Sequence, residues 1–184
     1  HVIGIDNFSD YYGTKLKKQN LSHSLESPYF NFFEMDLRDR VSLKKLFTNH
    51  KIDYIAHLAA TPGVRFSIGK SRHYFKNNVQ ATINLLELSV DYKVGNFVFA
   101  STSSVYGNTE LLPFKENDYC GNPLAPYPAS KRSCELLGHS FNHNHGLKFT
   151  SLRFFSVYGP RGRPDMMPFT IIDSIIKEKE ITLF

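Results

Sequence analysis

A tyrosine and a lysine four residues apart give the first sign of chemistry. Tyr127-Pro-Ala-Ser-Lys131 leads a stretch whose pattern is helical from Lys131 on, with Leu136, Leu137 and Phe141 available for one apolar face. Side chains at i and i+4 share a helix face, so the phenol and the ammonium can address one spot. A phenol ionises near pH ~10 and is a poor base at neutral pH. A neighbouring ammonium favours the phenolate and lowers that pKa. A phenolate tuned in this way can take a proton from an alcohol. The spacing alone also arises by chance on many helices, so a second feature has to join it. Phe97-Val-Phe-Ala100 is a run of strand formers that ends abruptly in Ser101-Thr-Ser-Ser-Val-Tyr-Gly107, with Thr102 twenty-five residues before Tyr127. Hydroxyls at the C-terminal end of a parallel strand stand where an open α/β sheet places its ligands. The plainer reading of Ser101–Ser104 is a polar exit from strand to loop.

The elements around these residues alternate. Val2-Ile-Gly-Ile-Asp6 reads as a buried parallel strand ending in an acid, followed by Asn7. In dinucleotide-binding folds an acid at this place hydrogen-bonds the adenosine ribose and disfavours the extra phosphate of NADP, so NAD is favoured. The rival reading is that Asp6 caps a turn. Tyr29-Phe-Asn-Phe-Phe-Glu-Met-Asp36 is strand-like, and residues 41–50 suggest a short helix. Asp36, before Leu37, either accepts from an adenine amino group or caps that helix. Ile52–Ala60 is the next strand, whose small Ala59 and Ala60 would let a cofactor approach the backbone. A loop, Thr61-Pro-Gly-Val-Arg-Phe-Ser67, precedes a long helix over about 71–90 with Val79, Ile83, Leu86 and Val90 on its apolar face. Asn78 on that helix is expected to be buried and to brace the strand that ends at the hydroxyl cluster. The strand at 96–100 follows, then an irregular proline-containing loop over 111–124 and the Tyr127 helix to about His145. The strand Leu147–Arg153 comes next, then a Gly-, Pro- and Arg-rich loop, a helix of about 169–178 and a closing strand from Ile181.

Strands alternating with helices indicate an α/β protein with a doubly wound parallel sheet. Apolar residues make up 41% of the 184, and no run approaches the ~18 apolar residues of a membrane-spanning helix. Cys120 and Cys134 form neither a metal-ligand pattern nor a disulfide scaffold, so a reducing, cytoplasmic setting and no metal are expected. The net charge of +5 suits an anionic small molecule, while no dense basic run marks a nucleic-acid binder. With a strand at each end and no glycine-rich turn, the chain is expected to be a fragment. It is expected to divide into an incomplete nucleotide-binding domain, 1–155, and the start of a substrate-binding region, 156–184.

Together these pieces resemble the extended short-chain dehydrogenase/reductases that act on nucleotide sugars. The resemblance is carried by Asp6-Asn7, Asp36-Leu37-Arg38-Asp39, His57-Leu-Ala-Ala60, Thr102 with Val105-Tyr-Gly107, Tyr127/Lys131 and Arg153-Phe-Phe-Ser-Val-Tyr-Gly-Pro160. Gly63-Val-Arg-Phe-Ser67 and Tyr158-Gly-Pro-Arg-Gly-Arg-Pro-Asp-Met166 are most similar to the UDP-glucuronate 4-epimerases of that family. The resemblance implies a Rossmann-type fold lacking its first βα unit and most of its C-terminal substrate domain, with NAD as cofactor. It implies that Tyr127 removes the sugar 4-hydroxyl proton while a hydride leaves C4 for NAD. Thr102 bonds the same oxygen, and Lys131 holds the nicotinamide ribose. The 4-keto sugar then turns over and takes the hydride back on its other face. Asp6, Asn7, Asp36, Leu37, Leu58, Ala59, Ala60 and Asn78 would line the cofactor. Arg65, Ser103, Ser104, Ser156, Arg161 and Arg163 would face a UDP-sugar, with Arg163 as the holder of a substrate carboxylate. A homodimer is implied for the full-length protein.

Two departures narrow the chemistry. Dehydratases of this family carry an acid pair where this chain has Ser103 and Ser104, and decarboxylating relatives carry a glutamate at the place of Ser104. Plain oxidation and reduction at C4 is therefore the expectation. A 4-epimerase of neutral UDP-hexoses and a non-catalytic dinucleotide-binding protein remain as alternatives.

Overall fold

The computed structural model describes residues 1–181. It contains two compact units, one made of His1–Glu34 with the chain from Ser156 on, the other of Met35–Phe155. The expected closing strand beyond Ile181 lies outside the described residues.

In the first unit β1 (Val2–Asp6) lies parallel to β2 (Phe30–Glu34), with Val2 opposite Phe30 and Asp6 opposite Glu34. Helix α1 (Thr14–Leu25) connects them and was not expected from the sequence. None of its residues is buried, so it lacks the apolar stripe that betrays a helix. The returning segment carries α7 (Met167–Ile176).

The second unit holds three parallel strands in the order β3 (Tyr54–His57), β4 (Asn96–Thr102), β5 (Phe149–Phe154). Helix α2 (Arg40–Asn49) leads into β3, and Asp39 is its cap: Oδ1 accepts from the amides of Val41 and Ser42 at 3.1 Å each. The capping alternative for Asp36 is thereby overturned. Its carboxylate is taken by the Arg38 amide and guanidinium instead. The loop after β3 contains one helical turn, α3 (Val64–Ser67).

The long helix is interrupted. Helix α4 (Ser71–Tyr74) runs through a π-helical turn (Phe75–Gln80) into α5 (Ala81–Asp91). The wider turn shifts the helical phase, so the buried residues are Tyr74, Asn78, Ala81, Thr82, Asn84, Leu85, Leu86, Leu88 and Ser89. Of the expected face only Leu86 is fully buried, while Val79, Ile83 and Val90 are half-buried.

Strand β4 is the centre of this unit. Phe97 and Phe99 are buried and stack on Phe149 of β5 at 5.5 and 6.0 Å between ring centroids. Burying each such ring is worth roughly 1.5–3 kcal/mol. Burial continues without a break through Ala100, Ser101 and Thr102, as a parallel strand covered on both faces requires. A 3₁₀ turn (Ser103–Tyr106) ends it.

Helix α6 (Pro126–His145) lies against β4 and β5. Prolines at its first and third positions cost little, because first-turn amides have no partner inside the helix. Its buried face is not the expected one of Leu136, which is 54% exposed, with Leu137 and Phe141 only half-buried. It is Pro128, Ser130, Lys131, Cys134, Glu135 and Gly138. Small residues let the helix approach closely: a Cβ on Gly138 would lie 2.2 Å from the Phe149 ring. That close approach brings two charged side chains, Lys131 and Glu135, into the interior.

Candidate active site

The C-terminal end of β4 carries Thr102 and receives Lys131 from α6. Lys131 is 3% exposed, and its Nζ donates to the Ala100 carbonyl at 2.7 Å while sitting 4.7 Å from the centre of the Phe99 ring. Burial pushes its ammonium down from 10.5 to about 8. Two residues along β4, Thr102 is buried. Its Oγ1 accepts from the Ser104 amide at 3.2 Å and donates to Ser104 Oγ at 3.3 Å. Thr102 thus caps the 3₁₀ turn that carries Ser103 and Ser104, both half-buried. Tyr127 is half-buried on the first turn of α6, its ring edge-on to Tyr74 at 6.2 Å. Tyr74 in turn donates to the carbonyls of Pro62 and Gly63, which shapes the loop after β3.

A second layer holds these residues. Asn78 is 1% exposed. Its Oδ1 accepts from the Thr61 amide at 2.7 Å, and its Nδ2 donates to the Thr61 carbonyl at 3.1 Å and to Ser130 Oγ at 3.0 Å. It therefore braces the loop after β3 against α6, not β4 as expected, and both amide hydrogens are spent inside the protein. His57 ends β3, buried, with Nε2 3.0 Å from Thr82 Oγ1. Thr82 already donates to the Asn78 carbonyl at 2.6 Å, so His57 is the donor of the pair and carries its proton on Nε2. Burial first, and the charge of Lys131 second, depress the imidazole to about 3, so it stays neutral at physiological pH.

Glu135 was missed by the reading of the sequence, although it stands one turn beyond Lys131 on the same face. Its Oε1 accepts from Ser101 Oγ at 2.5 Å and Arg153 Nε at 3.1 Å, its Oε2 from Arg132 Nη1 at 2.7 Å and Arg153 Nη2 at 3.0 Å. Burial pushes the carboxyl up, but the hydrogen bonds from Arg153, Ser101 and Arg132 outweigh it and hold it below the ordinary carboxylate range.

Of the other residues singled out, Leu58 and Ala59 are exposed and Ala60 half-buried directly after β3, and Arg65 is exposed on α3. The Leu37 carbonyl accepts from Asn84 at 2.9 Å. Asp36 is gripped at both oxygens by Arg38, whose Nη1 reaches Asn77 at 2.6 Å. In the first unit Asp6 does close a turn: Oδ1 accepts from the Phe8 amide at 2.6 Å, with Lys17 Nζ 3.9 Å away. Its Oδ2 takes no hydrogen bond among the described residues. Asn7 accepts from the Ser9 amide at 3.1 Å, and Ser156 is exposed. Arg161, in a left-handed conformation, donates to the Asn20 carbonyl at 3.1 Å. Arg163 forks Asp165 at 2.9 and 2.8 Å and lies over the Tyr11 ring. Among the described residues, no three His, Cys, Asp or Glu side chains are placed to hold a metal ion, and no helix is long and apolar enough to cross a membrane.

Comparison with known proteins bears on what this arrangement belongs to. A UDP-glucuronate 4-epimerase of Thermodesulfobacterium geofontis is 41% identical over 183 residues, covering 100% of this chain and 56% of the relative. The crystal structure of UDP-glucuronic acid 4-epimerase from Bacillus cereus with UDP-glucuronic acid and NAD matches with a TM-score of 0.92 and 38% identity, over 100% of this chain and 57% of that one. UDP-glucose 4-epimerase of Thermotoga maritima with UDP-glucose matches with a TM-score of 0.89 and 31% identity, over the same shares. The chain thus spans little more than half the length of these relatives, and its fold is the Rossmann-type α/β fold of the extended short-chain dehydrogenase/reductases. The model of the NAD dependent epimerase/dehydratase family matches residues 1–184, and the chain belongs to that family.

Proposed function

We propose that the protein carrying this chain is an NAD-dependent 4-epimerase of a nucleotide sugar, interconverting UDP-glucuronate and UDP-galacturonate through a transient 4-keto sugar. The observation that carries the reading is the delivery of Lys131 into the interior onto the Ala100 carbonyl, two residues before Thr102 on β4, with Tyr127 one helical turn before Lys131 on α6. The residues fit a dinucleotide. Asp6 closes β1 with Oδ2 open for a ribose hydroxyl, and the small, open Ala59–Ala60 segment lets a ligand reach the backbone after β3. NAD, when bound, supplies a reversible hydride acceptor. Tyr127 takes and returns the proton of the 4-hydroxyl, and Thr102 hydrogen-bonds the same oxygen. Lys131 favours the phenolate and orients the nicotinamide ribose. Ser103 and Ser104, Ser156, Arg65 and Arg161 are proposed to line the sugar nucleotide, and Arg163 to hold its carboxylate. The stretch from Ser156 on is read as the start of the substrate region. Two copies would form the working enzyme, in the cytoplasm.

The uronate is supported by the names of the relatives and by the Gly63–Ser67 and Tyr158–Met166 stretches. A second reading, a neutral UDP-hexose, is favoured by one observation: the Arg163 fork is filled by Asp165. The full-length protein, given UDP-glucuronate, UDP-glucose and NAD, separates the two by mass spectrometry and chromatography of the products. UDP-galacturonate as the main product is the expected result, and UDP-galactose alone would overturn the uronate assignment. No epimer from any UDP-sugar would overturn the whole reading.

A further inference from the structure

We propose that Glu135 is a positioning residue of this site: it locks helix α6 in register with the C-terminal end of β4, and so sets Tyr127 against Thr102. The proposal rests on the functional reading above. Lys131 and Glu135, one helical turn apart, grip consecutive residues of β4. Lys131 Nζ holds the Ala100 carbonyl at 2.7 Å, and the Glu135 carboxylate holds Ser101 Oγ at 2.5 Å. The next residue of the strand is Thr102, and one turn back on the helix stands Tyr127. Two grips on adjacent strand residues leave the helix no freedom to slide or roll, whereas one grip by a flexible lysine would.

The carboxylate also reaches beyond the pair. Arg153 lies on β5 directly across from Ser101 and returns two hydrogen bonds to Glu135. Its guanidinium sits 4.9 Å from the centre of the Tyr106 ring and donates to the Glu116 carbonyl at 3.1 Å. One buried carboxylate thus ties together α6, the end of β4, β5, the 3₁₀ turn and the loop that follows. A buried charge cluster is a poor device for stability alone, because desolvation offsets much of the attraction and apolar replacements are often equally stable. Fixing a geometry is what the cluster does that apolar residues would not.

The test uses the full-length protein and three variants: Glu135→Gln, Ser101→Ala, and the double variant Glu135→Met/Arg153→Met. Misplacement of a reacting group should lower kcat about 10- to 100-fold in the first two, with sugar KM and NAD affinity nearly unchanged. The double variant, with both buried partners made apolar, should recover melting temperature without recovering kcat. Wild-type kcat in Ser101→Ala and Glu135→Gln, or a kcat that returns with melting temperature in the double variant, would overturn the proposal. Amide hydrogen exchange supplies a readout that needs no turnover. Residues 101–104 and 127–131 should exchange about tenfold faster in Glu135→Gln, with β3 unchanged. Unchanged exchange overturns the register role even if the protein proves to have another activity. An inactive wild type with the exchange effect present overturns the functional reading instead.

Discussion

Two arginine–carboxylate pairs in this chain share one geometry and differ in everything around it. Arg153 and Arg163 both fork a carboxylate through Nε and Nη2, at 3.1 and 3.0 Å in the first case and 2.9 and 2.8 Å in the second. The Arg153–Glu135 pair joins residues eighteen apart in sequence, and its side chains are 16% and 5% exposed. The Arg163–Asp165 pair joins residues two apart, and its side chains are 32% and 29% exposed. Water can replace either partner of the second pair at small cost, whereas loss of a partner in the first strands a buried charge. The lesson is that a fork alone says little about role. The buried, long-range fork fixes architecture, and the local, wetted one is free to change partners.

The largest effect should come from the region of the buried fork. Tyr127→Phe removes the proposed base and keeps the ring against Tyr74, so kcat should fall about 10²–10⁴-fold while circular dichroism still reports the wild-type fold. A variant with near wild-type kcat would remove the chemistry from the buried region altogether, and with it the sense of the comparison.

Lys131→Met probes the same region through stability. Burial lowers the ammonium from 10.5 to about 8, so the charge costs the fold on the order of 3 kcal/mol at pH 7. The unfolded chain holds this proton more tightly, so the lysine's contribution to stability rises as pH climbs from about 8 to 10.5. After loss of the Ala100 hydrogen bond, the Met variant should be inactive yet about 1–2 kcal/mol more stable at pH 7. Its stability should also lack the rise between pH 8 and 10.5. Urea titrations across that window check both, and parallel curves for the two proteins would contradict the burial cost.

His57 sharpens the contrast from the acid side. Held neutral with a pKa of about 3 against an ordinary 6.5, it takes no proton in the fold where the unfolded chain does. Its contribution to stability is therefore lost as pH falls below 6.5. His57→Gln keeps an Nε2–H for Thr82 without titrating. The difference between variant and wild type should change by up to ~1.4 kcal/mol per pH unit between pH 6.5 and 4.5, above the range in which most carboxylates titrate. A flat difference would mean that the imidazole reaches water.

Much of this was legible in the sequence, and the boundary is physical. Tyr127, Lys131 and Thr102 could be picked out as candidates because helix spacing and the strand-to-hydroxyl switch at Ala100–Ser101 are local signals. The alternation of strands and helices gave the fold class for the same reason. Helix α1 could not be read, since no residue of it is buried and its pattern has no apolar period. The phase of the long helix was misjudged because a π turn leaves no mark in hydrophobic spacing. Glu135 was missed, and His57 was quoted in a motif without a role of its own, because an acid or a histidine in a helix or strand looks solvent-facing until its distant partners, Arg153 and Thr82, are in place. Lys17 beside Asp6 was invisible likewise, because the cation comes from the next helix, eleven residues on.

The smallest effect belongs to the exposed fork, and its sign decides what Arg163 is for. Arginine suits a planar carboxylate through two parallel hydrogen bonds, and a neutral hexose offers it no such partner. The 4-keto intermediate of a uronic acid is a β-keto acid prone to lose carbon dioxide, and a fixed carboxylate would suppress that loss. A lone charged hydrogen bond of this kind is worth roughly 1.5–3 kcal/mol. Here, however, the guanidinium starts on Asp165, and binding a substrate carboxylate exchanges one partly exposed pair for another. The discrimination lost in Arg163→Ala should therefore sit below that range, about 1 kcal/mol between UDP-glucuronate and UDP-glucose, with more decarboxylated pentose among the products. Asp165→Asn gives the opposite sign. It removes the charge of the resident competitor, so UDP-glucuronate should bind more tightly while UDP-glucose is unaffected. If both variants move the two sugars equally, Arg163 does not read the carboxylate. Its fork with Asp165 is then the local counterpart of the Arg153–Glu135 pair, a fixed piece of its loop, and the half-exposed surroundings do not make it exchangeable after all.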